Sequence, residues 1–461
     1  MTKTEAVAAL DFGITHIKLL AINRAGKVLA ARKIPTPVRD APFYRHFDVK
    51  RAWEWLLQGL REMAGVLNIR AIVPCTHGSA TALVDEDSLV LPVMHYEAQP
   101  PESVIADYAA MAPPFDETFA PINPGGLTLA RQLLWQQTAF PDNFDRARRI
   151  LSYPQYWAWR FSGVVASEVT SLGAQTHLWA PQRGDFSSFV DMQGWRPLFP
   201  PLRRAWESLG PVVPDLGTRA GLAADTQVLC GIHDSNANYL RYLAGGWRDF
   251  SLMSTGTWII NFNHAYPINN LQAAFDTTVN VDAFGRPVAC SRFMGGREYA
   301  IVAQDIALRA KPSVVAHLVA VGSMALPSFS DSGGPFPNTG GRGRIVGPAP
   351  ANAVERVALA ALYTALMASS ALDHIGTEND IIIDGPFAAN ALFCGLLAAL
   401  HPGRRVWAAG RLDGAAQGAA LLWEWESRTR PVRLDLTPVQ ALSVNGFADY
   451  AERWRSAAET H

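Results

Sequence analysis

Near the start of the chain, short apolar runs give way to a longer helical pattern. Apolar runs at residues 6–10, 17–22 and 28–31 are separated by polar turns, the second of which includes Asn23 and Gly26. Runs of this length, bounded by glycine and polar residues, predict β-strands joined as a meander. From residue 53 to 67 the apolar positions recur every three or four residues, which predicts an amphipathic helix.

The same order of patterns restarts near residue 245. Residues 250–263 again show strand, glycine turn and strand, and three helical stretches follow at residues 354–372, 390–400 and 414–425. A plan that restarts halfway is a weak internal repeat and indicates two domains of similar design. We therefore expect an N-terminal domain over residues 1–245, a C-terminal domain over residues 246–435 and a C-terminal tail over residues 436–461.

Two further helices and one loop complete the prediction. Apolar spacing predicts helices at residues 129–138 and 156–161. Residues 328–347 are rich in Gly, Pro and Ser, and we expect them to form a long surface loop.

Composition narrows the class of protein. The 461 residues are 49% apolar and 18% charged with a net charge of −1, as in globular proteins of more than one domain. Near-neutral charge without a basic cluster gives no support for a nucleic acid or membrane partner. The cysteines Cys75, Cys230, Cys290 and Cys394 lie far apart, which favours buried thiols over a zinc or disulfide framework. Because no apolar stretch reaches the ~18 residues of a membrane span, we expect a cytoplasmic protein.

The turn after the first predicted strand is the first candidate for phosphate chemistry. It reads Asp11-Phe12-Gly13-Ile14-Thr15. A glycine lets backbone N–H groups approach a phosphate, a threonine adds a hydroxyl donor, and an aspartate can hold Mg²⁺ directly or through water. Strands flank this turn on both sides, whereas a Walker loop opens a helix, and the chain contains no GxxxxGK[ST] motif. Taken alone, such a motif is more often an ordinary hairpin turn.

A similar turn follows the first strand of the second half. It reads Ser254-Thr255-Gly256-Thr257-Trp258, again between predicted strands. Two hydroxyl-rich glycine turns, one at the start of each half, predict a pair of hairpins that grip one polyphosphate. The pair is more specific than either turn alone.

A third segment offers a general base. Gly231-Ile232-His233-Asp234 follows a short apolar strand, so Asp234 lies at the predicted entry of a helix. A carboxylate there can accept the proton of an attacking hydroxyl in phosphoryl transfer, and it can equally be a plain helix N-cap. Glu168 and Thr170 have the same two interpretations, as a helix cap or as part of a sugar site.

Together these segments resemble the FGGY family of carbohydrate kinases. The resemblance spans residues 6 to 425 and rests on motifs in the family's order and spacing: Asp11-Phe-Gly-Ile-Thr, Gly231-Ile-His-Asp, Ser254-Thr-Gly-Thr, Phe293-Met-Gly-Gly-Arg-Glu, Asp384-Gly-Pro-Phe-Ala and Ala415-Ala-Gln-Gly-Ala-Ala. It implies an α/β fold of two ribonuclease H-like (actin-like ATPase) domains with an active-site cleft between them. Sugar would bind mainly to the first domain and ATP mainly to the second, with ATP and Mg²⁺ as cofactors.

The resemblance also implies roles for individual residues. Asp234 would be the catalytic base and Asp11 would attend the metal ion. Nucleotide contacts would come from Gly13, Ile14, Thr15, Gly256, Thr257, Gly385 and Phe387, and sugar contacts from His77, Gly78, Glu97, His233 and Asp234. The expected partners are therefore a sugar and ATP rather than nucleic acid or a membrane, and a homodimer is left open.

The segments around His233 and Trp258 look most like those of kinases of 6-deoxy ketohexoses such as L-rhamnulose or L-fuculose. Many relatives carry a Trp-x-Asp-x-Arg sugar motif, but here the segment reads Met94-His-Tyr-Glu97-Ala-Gln99, with no arginine and no aligned aspartate. Pro386 stands in place of a glycine of the adenosine loop and removes one N–H donor. The alternatives are a kinase of another ketose or polyol (xylulose, ribulose or glycerol) and a non-catalytic sugar-binding protein on the same fold.

Overall fold

The fold comes from a computed structural model that describes residues 3–331, 334–410 and 413–461. The chain forms two compact units, each assembled from separate stretches. The first unit comprises Met1–Gly246, Val279–Pro287 and Asp413–Val432, and the second comprises Trp247–Thr278, Val288–Leu412 and Arg433–His461. The domain limits given above stay a prediction, and the first passage from one unit to the other falls one residue beyond the expected boundary.

The described residues form both strands and helices. The strands are β1 (Thr4–Phe12), β2 (His16–Ile22), β3 (Val28–Pro35), β4 (Val38–Arg39), β5 (His46–Phe47), β6 (Leu67–Thr76), β7 (Thr81–Val84), β8 (Arg149–Ser152), β9 (Trp179–Ala180), β10 (Asp185–Phe186), β11 (Ser208–Pro211), β12 (Gln227–Leu229), β13 (Ile232–His233), β14 (Phe250–Thr255), β15 (Ile259–Asn263), β16 (Thr277–Val281), β17 (Pro287–Phe293), β18 (Met324–Leu326), β19 (Arg344–Val346), β20 (Asp380–Asp384), β21 (Val406–Ala409) and β22 (Leu436–Pro438). The helices are α1 (Val49–Val66), α2 (Glu102–Met111), α3 (Phe115–Thr118), α4 (Leu129–Ala139), α5 (Pro141–Phe144), α6 (Tyr153–Ser162), α7 (Val169–Leu172), α8 (Ser188–Met192), α9 (Pro214–Ala220), α10 (Asp234–Ala244), α11 (Gly295–Ala303), α12 (Pro312–Val321), α13 (Ala353–Asp373), α14 (Ala391–Leu400), α15 (Gly414–Ala420) and α16 (Phe447–Glu459).

The first unit is built on a mixed sheet with the order β11-β12-β6-β1-β2-β3, and β13 also pairs with β6. Strand β2 is antiparallel to both of its neighbours, while β1, β12 and β13 are parallel to β6. The predicted meander of β1 to β3 is confirmed. The predicted first helix is also confirmed, because α1 buries Trp53, Leu56, Leu60 and Met63 in the core beside this sheet.

The second unit repeats this design. Its sheet has the order β16-β17-β15-β14-β20-β21-β22. Strand β15 is antiparallel to β14 and β17, whereas β14, β20 and β21 run parallel. The path β17-β15-β14-β20-β21 thus matches β3-β2-β1-β6-β12 of the first unit, and this match confirms the internal repeat. Helix α13 is buried along most of its length and forms the centre of the second core.

Two segments differ from their prediction. Residues 328–347 are not simply a surface loop, because Ser328, Ser330 and Thr339 are buried and residues 344–346 form β19; residues 332–333 of this segment lie outside the described part. The expected tail is also ordered, since it forms β22 and α16. Trp454 of α16 is buried and its indole N–H donates to the carbonyl of Ala325 at 2.6 Å.

Two expectations from composition can be compared with the structure. The prediction that the four cysteines are buried is confirmed. Across residues 3–331, 334–410 and 413–461, no helix is both long enough and apolar enough to cross a membrane.

Candidate functional site

Strand register brings three of the predicted segments to one edge of the first sheet. Asp11 pairs with Cys75 and Phe12 with Thr76 across the parallel strands β1 and β6. Thr76 in turn pairs with His233 across β6 and β13. The loops that follow these strands therefore leave the sheet side by side at its carboxyl edge, which is where open α/β sheets bind ligands.

Asp11 lies buried at this edge beside a lysine. The Nζ atom of Lys18 is 3.4 Å from Oδ2 of Asp11 and 3.1 Å from Oδ1 of Asp413. Burial raises the pKa of the Asp11 carboxyl to about 6, and the Lys18 charge only partly offsets this effect. Lys18 and Asp413 were not predicted as site residues. A signal for Lys18 existed, because the hairpin register places it directly opposite Asp11.

The turn after Asp11 is closed and leaves its backbone near the surface. The Gly13 N–H donates to the carbonyl of His16 at 3.0 Å, and a Cβ at Gly13 would lie only 3.1 Å from that oxygen. Ile14 packs its side chain on the apolar core, whereas Thr15 is exposed. The tight turn and the exposed hydroxyl fit a phosphate contact.

Asp234 is the first residue of α10, and the residue in the N-cap position is His233. Oδ1 of Asp234 accepts from the N–H of Ser235 at 2.5 Å and from its hydroxyl at 3.2 Å. Oδ2 makes no hydrogen bond within the part of the chain that the structure describes, and the side chain is 28% exposed. The carboxylate therefore keeps an open oxygen for a ligand.

His77, Gly78 and His233 surround this carboxylate. Nδ1 of His77 donates to the carbonyl of Gly78 at 2.6 Å, and its Nε2 is buried with no hydrogen-bond partner within the described residues. Burial lowers the pKa of His77. A Cβ at Gly78 would lie 2.9 Å from Nε2 of His233, and that nitrogen is 3.5 Å from Oδ1 of Asp234. The structure thus brings these four predicted residues together.

Glu97 stands apart from this group. Its side chain is 58% exposed and lies 4.0 Å from Nδ1 of His95. The neighbouring Tyr96 is closer to the group, because its ring is perpendicular to that of His77 at 6.0 Å between centroids. Burial raises the pKa of Tyr96, with smaller contributions from the Glu97 and Asp234 charges. The sequence did not single out Tyr96, since an aromatic residue there is indistinguishable from a core residue.

The two interpretations of Glu168 and Thr170 are resolved in favour of a helix cap. Glu168 is fully buried as the N-cap of α7 and accepts from the N–H groups of Thr170 and Ser171. The Thr170 hydroxyl bonds Glu168 at 2.5 Å and accepts from the N–H of His233 at 3.1 Å. The cap therefore fixes the backbone of the residue that precedes Asp234.

In the second unit, one hydroxyl joins the two predicted nucleotide segments. Thr255 donates through Oγ1 to the carbonyl of Asp384 at 2.5 Å and accepts from the N–H of Phe387 at 3.1 Å. Gly385 has φ +89°, and a Cβ there would overlap the carbonyl oxygen of Thr255. The turn and the loop after β20 are thus tied together.

The remaining predicted residues of this unit lie near the hydrogen bonds of Thr255. Gly256 is half-buried and Thr257 is exposed. The Phe387 side chain is buried against Phe393 and Tyr299, with ring centroids 4.8 Å and 5.5 Å away. Pro386 opens a short 3₁₀ turn, where its missing N–H has no partner to lose.

The residues present fit Mg·ATP. Gly13 and Gly385 lie in turns whose backbone is too closely packed for a side chain, and Thr15 and Thr257 offer exposed hydroxyls. In the described residues no group of three or more His, Cys, Asp or Glu side chains could hold a metal ion. Asp11 would hold Mg²⁺ together with phosphate oxygens, which is the usual way that proteins bind this ion.

Solved structures of carbohydrate kinases are similar to this protein in fold. A carbohydrate kinase from Novosphingobium aromaticivorans is 34% identical, with a TM-score of 0.89 over 100% of this chain and 99% of that one. A xylulose kinase from Lactobacillus acidophilus is 14% identical, with a TM-score of 0.81 over 99% of this chain and 97% of that one. At this identity the similarity to the xylulose kinase shows the fold alone. The fold is the predicted pair of α/β domains of the actin-like ATPase type.

Sequence comparison gives the family. An L-fuculokinase from Escherichia coli K12 is 24% identical over 268 residues, which is 56% of this chain and 56% of that protein. The match therefore spans little more than half the length of this curated relative. The N-terminal domain description of the FGGY family of carbohydrate kinases matches residues 6–240, and the description "Carbohydrate kinase FGGY, C-terminal domain" matches residues 247–431. The chain belongs to the FGGY family of carbohydrate kinases.

Proposed function

We propose that this protein transfers the γ-phosphoryl group of ATP to a hydroxyl group of a ketose, with Asp234 as the general base. The observation that carries the proposal is the open Oδ2 of Asp234, beside His77, Gly78 and His233 at the carboxyl edge of the first sheet. A carboxylate with a free oxygen can orient the sugar hydroxyl and accept its proton as the phosphoryl group moves.

The nucleotide would be held by backbone and hydroxyl groups rather than by a Walker lysine. Gly13, Ile14 and Thr15 would contact phosphate from the first unit. Gly256, Thr257, Gly385 and Phe387 would contact phosphate and adenosine from the second, with Phe387 contributing backbone because its ring is buried. Mg²⁺ at Asp11, when bound with ATP, supplies positive charge against the developing charge on the phosphates.

The sugar side of the site supports a polyhydroxy substrate. Nε2 of His77 and the carboxylate of Asp234 are hydrogen-bond acceptors without enough internal donors. In the segment from Met94 to Ala98, the buried Met94 and Ala98 offer apolar side chains beside the buried His95, and such apolar groups suit the methyl group of a 6-deoxy ketose. The similarity of part of the chain to an L-fuculokinase points the same way, and Glu97 is retained in the proposal as an outer contact.

The base is tested by Asp234→Asn. The variant keeps the shape of the side chain but cannot accept the proton, so kcat should fall by ~10²-fold or more while sugar affinity stays close to wild type. Asp215→Asn is a matched control, because Asp215 is an exposed residue in the first turn of α9. Turnover measured by coupled ADP release should be unchanged in the control. Near-normal turnover of Asp234→Asn would remove this residue from the base role.

The substrate class is tested by the same assay over a panel of sugars. L-Rhamnulose or L-fuculose should exceed D-xylulose, L-ribulose and glycerol in kcat/KM by ~10- to 200-fold, the range available to one methyl or hydroxyl group in an apolar pocket. A pentulose or glycerol as the best substrate would end the 6-deoxy proposal and leave the kinase proposal standing. Sugar binding without ADP release from any panel member would favour the non-catalytic sugar-binding alternative.

A further inference from the structure

Asn236 is a buried polar residue that contacts His233 of the candidate site. It is the third residue of α10 and is 3% exposed. Its amide bonds two groups at once: Nδ2 donates to the carbonyl of Val281, and Oδ1 lies 3.0 Å from Nδ1 of His233. Each contact constrains the other because an amide has one donor end and one acceptor end.

The orientation of the Asn236 amide follows from Val281. A backbone carbonyl can only accept, so the amide nitrogen must face it, and the opposite orientation would place two acceptor oxygens against each other. Val281 is fully buried, and its side chain packs closely against Gly173. The amide oxygen is therefore the atom that faces His233.

The proton position on His233 follows from Asn236. An amide oxygen only accepts, so Nδ1 of His233 must carry a hydrogen, and the neutral ring then has a bare lone pair on Nε2. That nitrogen faces Gly78 and lies 3.5 Å from Oδ1 of Asp234. The backbone of His233 is held separately by the Thr170 hydroxyl.

We propose that Asn236 is a positioning residue that holds neutral His233 as the Nδ1–H tautomer and so makes its Nε2 a hydrogen-bond acceptor for a substrate hydroxyl. This rests on the proposed kinase function. In the opposite tautomer, Nε2–H would donate to Asp234 and weaken it as a base. With Asn236 in place, neutral His233 leaves Asp234 available for the hydroxyl proton.

The inference also narrows the chemistry of the substrate. His77 donates through Nδ1 to the Gly78 carbonyl, so its neutral ring likewise has a bare Nε2. Two imidazole lone pairs and one carboxylate are all acceptors. The matching part of the substrate must therefore be a set of hydrogen-bond donors, which hydroxyl groups of a sugar supply, because a carbonyl or carboxylate there would meet acceptors only.

The tautomer can be read directly by long-range ¹H–¹⁵N NMR on ligand-free protein labelled at histidine, with His233→Gln identifying the signals. Wild type should show a protonated Nδ1 and an unprotonated Nε2 for neutral His233. Asn236→Leu removes the acceptor and should lose this pattern. Asn238→Leu is the same substitution on the same helix and should leave the pattern unchanged.

Kinetics give a second readout. Loss of one hydrogen-bond acceptor should lower kcat/KM for the sugar by about 10-fold in Asn236→Leu and leave KM for ATP unaltered. An Nε2–H tautomer in wild type would overturn the inference, even if Asn236→Leu did not fold. An Nδ1–H tautomer in a wild-type protein that turns over no sugar would uphold Asn236 as the group that sets the tautomer and overturn the kinase proposal.

Discussion

At the scale of single residues, two carboxyl groups of the first unit, those of Asp11 and Glu168, are buried. Burial raises the pKa of Glu168 to about 7, although hydrogen bonds from Thr170 and Ser171 favour its charged form and partly offset the effect. The pKa of Asp11 is raised to about 6, again mainly by burial. A folded state that holds protons more tightly than the unfolded chain loses stability as pH rises.

Glu168 makes this pH dependence testable. Its folded pKa of about 7 lies above the unfolded value of 4.5, so the native state binds more protons between these pH values and the free energy of unfolding should decrease across that window. One proton corresponds to at most about 1.4 kcal/mol per pH unit. Glu168→Gln keeps the cap acceptor and should flatten the decrease in urea denaturation between pH 4.5 and 7.

Glu207→Gln is the control, because the pKa of Glu207 is shifted in the direction opposite to that of Glu168. Partial burial of Glu207 is outweighed by hydrogen bonds from the Arg204 N–H and the Arg203 side chain, which lower its pKa. Removing this charge should therefore leave the decrease between pH 4.5 and 7 in place. Parallel pH profiles for wild type and Glu168→Gln would contradict the assignment of a raised pKa to Glu168.

The sequence offers more information on candidate site residues than on the residues that position them. Asp11 and Asp234 became candidates because each follows a strand within a short motif. The resemblance placed His77 and His233 beside Asp234. The pattern around Glu168 fitted a helix cap and a sugar contact equally well. Asn236 was not singled out, because Val281, the group that orients its amide, lies 45 residues further along the chain.

At the scale of elements, the second unit depends on the contact between the turn after β14 and the loop after β20. Thr255 bonds both sides of this contact, and Gly385 allows the two backbones to approach. The strands themselves are parallel neighbours with Ser254 opposite Asp384. A change at Gly385 should therefore act on both nucleotide segments together.

Gly385→Ala tests this contact against Gly403→Ala. Both glycines have φ close to +90°, so both variants carry backbone strain, but a Cβ at Gly403 meets no atom within 4 Å. We expect ATP affinity to fall by ~10-fold or more in Gly385→Ala, because the clash with Thr255 shifts the loop. Calorimetric titration should show near wild-type affinity for Gly403→Ala. Equal affinities in the two variants would show that the contact does not support nucleotide binding.

Local periodicity predicted β1 to β3, α1, α4, α6, α13 and α14, because the core of each unit selects one face of these elements. The prediction failed for residues 328–347, where composition suggested a surface loop. Glu298 is fully buried and accepts from the N–H groups of Phe329 and Ser330, and Tyr363 donates to it at 2.6 Å. The carboxylate of Glu298, which is distant in the chain, thus binds the backbone of this segment in the protein interior. No local sequence pattern indicates this contact.

At the scale of the whole molecule, the repeated sheet could be predicted because each half begins with the same strand, glycine turn and strand. The division of the chain into two units, each made of separate stretches, could not be predicted. Helix α15 belongs to the first unit although it lies near the end of the sequence, and a Cβ at its Gly418 would overlap the carbonyl of Ala237 in α10. The hairpin tip at Val279–Pro287 belongs there too. Such contacts form between segments that no local window compares.

This interleaved division has a consequence for how the gene can recombine. A crossover near codon 246 between two homologous genes would join a first segment from one parent to the tip at Val279–Pro287 and the helix Gly414–Ala420 from the other. The Gly418 contact with Ala237 and the Val281 contact with Asn236 would then join residues of different ancestry. Hybrid proteins that exchange the first unit should therefore be assembled from three donor segments, Met1–Gly246, Val279–Pro287 and Asp413–Val432, rather than from one.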